Sequence, residues 1–279
     1  MNKQQIFLSA GGLVLLVLLY FFGNTIPPVS TEKQASTPQK AASGASADVL
    51  ASARHDLTTD QSEKITQLEN SVVRGNVKEQ QIGVYNQLAR YWQDSVGRPY
   101  IGVYYLGEAA KLENSEKSLN FAARLMFNQV MAGGDPSAVT WVAKNAKVLY
   151  EKVLQLNPSD DSAKIELGAC YLFGGISEMP MEGIGKIKEV LTRDSSNMYA
   201  ELMLGLADIK SQQYDKAIVR LERVAKYEPH NIQALFNLAE TYERKGDKAN
   251  AVKWYRLVQN HVEIPAAKQE IEERINSLK

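Results

Sequence analysis

The sequence predicts an all-α protein, a solenoid of helical hairpins preceded by one transmembrane helix and a flexible linker. Three observations support this fold class. Residues 6–22 form an apolar segment without a charge, and residues 24–49 are mostly small and polar, with several prolines. From about residue 81 onward, apolar residues recur at three- and four-residue spacing, which is typical of amphipathic helices. No stretch alternates with period two, so we expect no sheet.

The charge balance and the cysteine count limit the functions that this chain could have. The 279 residues include 32 lysines and arginines and 32 aspartates and glutamates, so the formal net charge is zero. A balanced chain has no overall electrostatic attraction for nucleic acid, and we expect no nucleic-acid partner. Cys170 is the only cysteine, which excludes an intramolecular disulfide and leaves the compartment open.

The N-terminal segment predicts a membrane span. Residues 6–22 are 17 residues without a charge, and a spanning helix needs about 20 apolar residues, with a range of about 17–25. Tyr20 and Phe22 would lie at the membrane interface, and Pro27 would stop the helix. We therefore predict a transmembrane helix over residues 6–23. The alternative is a cleaved signal peptide, which the length of the run and the lack of a small-residue cleavage site disfavour.

Few charges set the predicted orientation. Lys3 and the terminal amine precede the span, and the first positive charge after it is Lys33. The positive-inside rule then places residues 1–5 in the cytoplasm and the C-terminal domain outside. In a bacterium of the Gram-negative type, this predicts an inner-membrane protein that faces the periplasm.

Two segments connect the span to the repeats. Residues 24–49 predict a disordered linker, whose 26 residues give an end-to-end distance of about 25–30 Å. Residues 50–80 predict a helical lead-in, in which Ile65, Leu68 and Val72 share one face. This stripe either packs onto the first repeat or mediates oligomerisation.

Internal self-similarity is the strongest signal in the chain. Two C-terminal segments align at an offset of 34 residues, which is the period of a repeated pair of helices. The matched pairs are Leu204 with Leu238, Ala217 with Ala251, and Val224 with Val258. Small residues, namely Gly205, Ala217, Ala239 and Ala251, let paired helices approach closely, and Gly246-Asp247 supplies a turn between them. Pro229 is expected where the next helix begins.

These segments resemble tetratricopeptide repeats, which are antiparallel helical hairpins. The residues that carry the resemblance are Leu238, Ala239, Tyr242, Gly246, Asp247, Ala251 and Tyr255, and then Leu204, Gly205, Tyr214, Ala217 and Pro229. The resemblance implies about five hairpins over residues 81–264, the last three at 161–197, 198–231 and 232–264. The unit that begins at 161 aligns at an offset of 37, so we place three extra residues in the loop at 174–181. Residues 265–279, with Ile271, Ile275 and Leu278 on one face, predict a capping helix.

The sequence shows no catalytic set. His55, His230 and His261 are scattered and have no ligand partner at helical spacing, so we predict no metal site and no cofactor. Phosphate-binding loops, nucleophile elbows and zinc-protease motifs are absent from the sequence. Cys170 falls on a helix beside Gly168 and is expected to be buried and inert. We therefore predict that the chain is not an enzyme.

The resemblance also implies a ligand-binding groove, because the family presents fixed positions of the first helix of each hairpin to its ligands. Transferred to this chain, those positions predict an apolar stripe made of Ile165, Leu172, Phe173, Tyr199, Leu202, Leu206, Ile209 and Phe236. An exposed stripe of this kind favours an apolar peptide or helix as ligand. The lysine and asparagine pattern that clamps a peptide carboxylate is missing. Alternatively, residues 116–160 or 50–74 fill the groove, and the stripe is core.

Together, these features predict a membrane-tethered scaffold or adaptor that holds peptides in the manner of a holdase. Its partners would be other proteins or peptides, and the bilayer through residues 6–23. A role in envelope protein assembly or secretion would suit that topology. The alternative is a structural membrane protein that self-associates, as a homo-oligomer, and has no transient client.

Overall fold

The computed structural model describes residues 49–74, 77–176 and 180–279. The predicted N-terminal segment 1–5, the transmembrane helix 6–23 and all of the predicted linker except Val49 lie outside the described residues. Val49 itself is already helical. Within the described ranges, the regular elements are all helical, and no helix there is both long and apolar enough to cross a bilayer.

After a helical stretch at 49–54, twelve α-helices follow in the described part of the chain. They are α1 (Thr59–Arg74), α2 (Lys78–Arg90), α3 (Pro99–Glu113), α4 (Glu116–Ala132), α5 (Pro136–Leu156), α6 (Asp161–Phe173), α7 (Pro180–Arg193), α8 (Met198–Lys210), α9 (Tyr214–Tyr227), α10 (Ile232–Lys245), α11 (Lys248–His261) and α12 (Pro265–Leu278). A π-helical turn, Tyr91–Ser95, extends α2.

The helices pair in sequence as hairpins. Helix α2 packs on α3, α4 on α5, α6 on α7, α8 on α9, and α10 on α11. The first helices of the last four hairpins (α4, α6, α8 and α10, called A helices below) also contact one another in order. They therefore lie side by side along one face of the array, which we call the A-helix face.

Side-chain caps define where the repeated A helices begin. The Oδ1 atoms of Asp160, Asn197 and Asn231 each accept a hydrogen bond from the backbone N–H three residues later, at 2.9, 2.9 and 3.0 Å. Such caps satisfy amides that have no partner within the helix. The caps recur at the 37- and 34-residue offsets of the repeat. We predicted that Pro229 lies where the next helix begins, and this was wrong. Asn231 caps α10, and Pro229 lies in the preceding turn.

Both ends of the array are closed by apolar helix faces. Helix α1 packs on α2 and buries Ile65 and Leu68, while Val72 is half-buried against the same core. The stripe predicted in the lead-in thus packs within this chain and leaves little surface for oligomerisation. At the other end, α12 packs on α11 and buries Ile271 and Ile275.

Candidate peptide-binding groove

The eight predicted groove residues lie on three neighbouring A helices, but most of them do not reach solvent. Four are buried in the hydrophobic core, namely Ile165, Leu172, Leu202 and Leu206, with exposures of 1, 9, 3 and 9%. Three are half-buried, namely Phe173, Tyr199 and Ile209. Phe236 is 38% exposed and packs edge-on against Tyr255, with ring centroids 5.9 Å apart.

The burial has a physical cause. Apolar side chains at helix contacts are removed from water, and α6 contacts α4, α5, α7 and α8. The four buried residues therefore belong to the core of this chain. That residues 116–160 or 50–74 fill the groove stays a prediction. That the set of eight binds peptide stays a prediction.

A buried carboxylate organises the centre of the A-helix face. Glu166 on α6 is 3% exposed. Its Oε2 accepts a hydrogen bond from the Tyr150 hydroxyl at 2.6 Å, and its Oε1 accepts one from the Tyr199 hydroxyl at 3.1 Å. The Arg124 Nε lies 3.2 Å from the same Oε1. A buried charge is tolerated only when it is paired and hydrogen-bonded, and this one has partners on α4, α5 and α8.

The Glu166 charge alters the ionisation of its neighbours. Burial first, and then the Glu166 carboxylate, raise the pKa of Tyr150 and of Tyr199 well above the ordinary value for tyrosine. The Glu166 charge also raises the pKa of Arg124. At neutral pH, both hydroxyls are therefore protonated donors and Arg124 is a cation, which is the arrangement that the carboxylate needs.

Two residues outside the predicted set, Phe121 and Arg124, form an accessible strip on this face. The Arg124 side chain is 55% exposed even though it pairs with Glu166. Phe121 lies one turn before it on α4 and is 61% exposed. Tyr199 adds a half-buried aromatic ring on α8. Glu166 could have been noticed in the sequence as a lone acid within the apolar run of α6, but its partners lie up to 42 residues away.

Nothing among the described residues positively indicates catalysis. No group of three or more histidine, cysteine or acidic side chains in the described ranges could hold a metal ion. Cys170 is fully buried, and burial, followed by the Glu166 charge, raises the pKa of its thiol. A thiol in that setting is a poor nucleophile.

One family model of known proteins matches the C-terminal repeats. Residues 202–267 match the family model described as tetratricopeptide repeat. A search of curated proteins finds no matching relative.

Among solved structures, the crystal structure of PilW, described as a widely conserved type IV pilus biogenesis factor, shares 20% identity, covers 71% of this chain and 85% of its own, and has a TM-score of 0.49. MamA 41-end from Desulfovibrio magneticus RS-1 shares 22% identity over 64% of this chain and 94% of its own, with a TM-score of 0.42. YrrB, described as a TPR protein with an unusual peptide-binding site, shares 16% identity over 68% of this chain and 91% of its own, with a TM-score of 0.41. Residues 202–267 are thus similar to the tetratricopeptide-repeat family, and they lie within a longer array of helical hairpins.

Proposed function

We propose that this chain is a membrane-tethered scaffold that binds polypeptide segments on its A-helix face. Tetratricopeptide-repeat proteins generally mediate protein–protein interaction, and the family match covers the C-terminal repeats. The observation that supports the proposed site is the exposure of Phe121 beside the half-exposed Arg124. An exposed aromatic ring next to a guanidinium is the composition that protein interfaces favour.

Phe121 and Arg124 indicate the chemistry of the proposed ligand, which has an apolar group beside hydrogen-bond acceptors. Phe121 offers an apolar surface, and Arg124 uses Nε for Glu166, which leaves further N–H donors for backbone carbonyls or a carboxylate of a bound chain. Phe173, Tyr199, Ile209 and Phe236 from the predicted set would extend the contact along α6, α8 and α10. Leu202 is 3% exposed, so a charge placed there would test folding rather than binding.

Site-specific photo-crosslinking tests this site. A photoreactive phenylalanine at Phe121 is expected to form adducts with other polypeptides in native membranes. The matched control is the same probe at Val219, which is 68% exposed on α9, outside the A helices. Adducts that form equally from both positions, or only with this chain, would contradict the proposed site.

A binding measurement on the crosslinked segment follows. We expect Phe121→Ala to weaken the affinity of that segment by about tenfold, or about 1.4 kcal/mol, because an interface aromatic anchor is removed. Val219→Ala should leave the affinity unchanged. Titration calorimetry measures both, and equal affinities for the two variants would exclude Phe121 from the interface.

The tether, its orientation and the role in envelope protein assembly or secretion belong to the same proposal. Cell fractionation should find the full chain with membranes and a chain without residues 1–23 in the aqueous fraction. Protease added outside the inner membrane should digest the repeats. Retention of the truncated chain on membranes, or protection of the repeats, would overturn the tether or its orientation.

The second candidate is a self-associating structural protein. Its clearest sequence support was the lead-in stripe, and the structure buries Ile65 and Leu68 within this chain. Light scattering of the purified chain decides whether a homo-oligomer forms. A stable monomer would remove this candidate.

A further inference from the structure

Two histidines that are 31 residues apart in the sequence meet at one end of the last repeat. His230 lies in the turn between α9 and α10, and His261 is the last residue of α11. Their Nδ1 atoms are 3.4 Å apart, and their rings are perpendicular, with centroids separated by 4.8 Å. His230 is exposed and His261 is half-buried, so the pair is open to solvent. In the sequence these histidines look scattered, because it is the packing of α10 on α11 that brings them together.

The distance between the two nitrogens matches the spacing of two ligand atoms on one metal ion. Zinc–nitrogen bonds are about 2.0–2.1 Å long, and tetrahedral coordination then places two ligand nitrogens about 3.3–3.4 Å apart. We propose that His230 and His261 together bind a divalent transition metal ion of the zinc type through their Nδ1 atoms. Neutral imidazole is a preferred ligand for zinc, nickel and copper, and water would fill the remaining positions.

The backbone around both histidines is held in place before any metal binds. Asn231, next to His230, caps α10 through Oδ1 and donates from Nδ2 to the Glu228 carboxylate at 2.8 Å. On the other side, the Val262 N–H bonds to the Val258 carbonyl at 3.0 Å and closes the end of α11. Ligands on fixed backbones lose less freedom when they coordinate, which favours binding.

The electrostatic setting favours a cation. His261 lies at the C-terminus of α11, where the carbonyl ends of the helix carry partial negative charge. Glu228 and Glu263 are each two residues along the chain from one of the two histidines. A bound ion would join the α9–α10 turn to the end of α11 and so would brace the last repeat.

The alternative is a hydrogen bond between two neutral imidazoles, without any metal. Calorimetric titration of the full chain with zinc, without a polyhistidine tag, distinguishes the metal site from the hydrogen bond. We expect one saturable site, and we expect His230→Ala and His261→Ala each to weaken it by about a hundredfold, because a chelate becomes a single ligand. The control is His55→Ala, an exposed histidine outside the pair, which should bind as the wild type does.

Two further readouts keep the test independent of folding. Paramagnetic Ni²⁺ at substoichiometric levels should broaden the imidazole NMR signals of His230 and His261 together, before that of His55. Zinc should raise the thermal midpoint of the wild type but not of either single variant. No saturable binding, equal broadening of all three histidines, or zinc-dependent dimers in light scattering would each overturn a site formed within one chain.

Discussion

At the scale of single residues, the informative feature is the buried Glu166 carboxylate. It is surrounded by one partner from each of α4, α5 and α8, so one charge connects three consecutive hairpins. Tyr199 was predicted to lie on the ligand surface. Its hydroxyl in fact faces Glu166, because a tyrosine at a helix contact has an apolar ring to bury and a polar tip to satisfy.

Removal of one hydroxyl should show how much this contact stabilises the fold. Tyr150→Phe takes a donor from a buried carboxylate, and we expect the free energy of unfolding to fall by about 1–3 kcal/mol. Tyr227→Phe is the control, because Tyr227 is 63% exposed and its loss should stay within about 0.5 kcal/mol. Urea denaturation measures both, and equal effects would mean that the Tyr150 hydroxyl is not a stabilising donor.

The raised pKa of Tyr150 predicts a loss of stability in alkali. Its ordinary pKa is 10.0, and the folded value is higher, so above pH 10 the unfolded chain releases a proton that the folded chain retains. Stability is therefore fully present below pH 10 and falls as the pH rises. The wild type should lose about 1.4 kcal/mol more per pH unit than Tyr150→Phe does. Urea unfolding at several pH values between about 9 and 11 measures the two slopes, and parallel slopes would contradict the shift.

At the scale of helices, glycine at one contact sets how closely α6 and α7 pack. A Cβ atom on Gly183 would lie 2.4 Å from the Gly168 carbonyl oxygen, and one on Gly168 would lie 2.7 Å from the Gly183 carbonyl oxygen. The two backbones touch, so neither side can yield by rotating a side chain. The sequence predicted close helix approach at Gly205 and Ala217, and a closer contact than that of Gly205 lies one hairpin earlier, at Gly168 and Gly183.

A pair of glycine substitutions on the same helix tests this contact. Gly183→Ala should lower the free energy of unfolding by about 1–3 kcal/mol, because the added methyl meets backbone. Gly185→Ala adds the same methyl where nothing lies within 4 Å, and it should raise stability by about 0.5–1 kcal/mol through helix propensity. Thermal or urea unfolding gives both signs, and a stabilised Gly183→Ala would disprove the close contact.

At the scale of the whole described array, stability depends on each hairpin covering its neighbour. A solenoid end exposes an apolar face unless a terminal helix covers it. Helix α12 does this for α11, with Ile271, Ile275 and Leu278 turned inward and 7, 1 and 8% exposed. The same stacking forms the A-helix face, on which Phe121 and Arg124 stay accessible.

Two isoleucines near the C-terminus measure the contribution of the cap. Ile275→Ala removes buried volume between α12 and α11, and we expect a loss of about 2–5 kcal/mol. Ile264→Ala changes a side chain that is 66% exposed just before α12, and it should stay within about 0.5 kcal/mol. Similar values for the two variants would show that α12 does not stabilise the repeats.

The sequence by itself determined the helical hairpin architecture, because the 34-residue offset, the apolar spacing and the turn residues are local signals that repeat along the chain. The tertiary structure decided which apolar residues reach solvent, since Leu202 and Phe121 look equally apolar in the sequence and differ only in whether another helix covers them. It also decided that Glu166 gains its three partners and that His230 meets His261. Those contacts join residues 16 to 42 positions apart, and no local pattern encodes the helix that will stack against a given face.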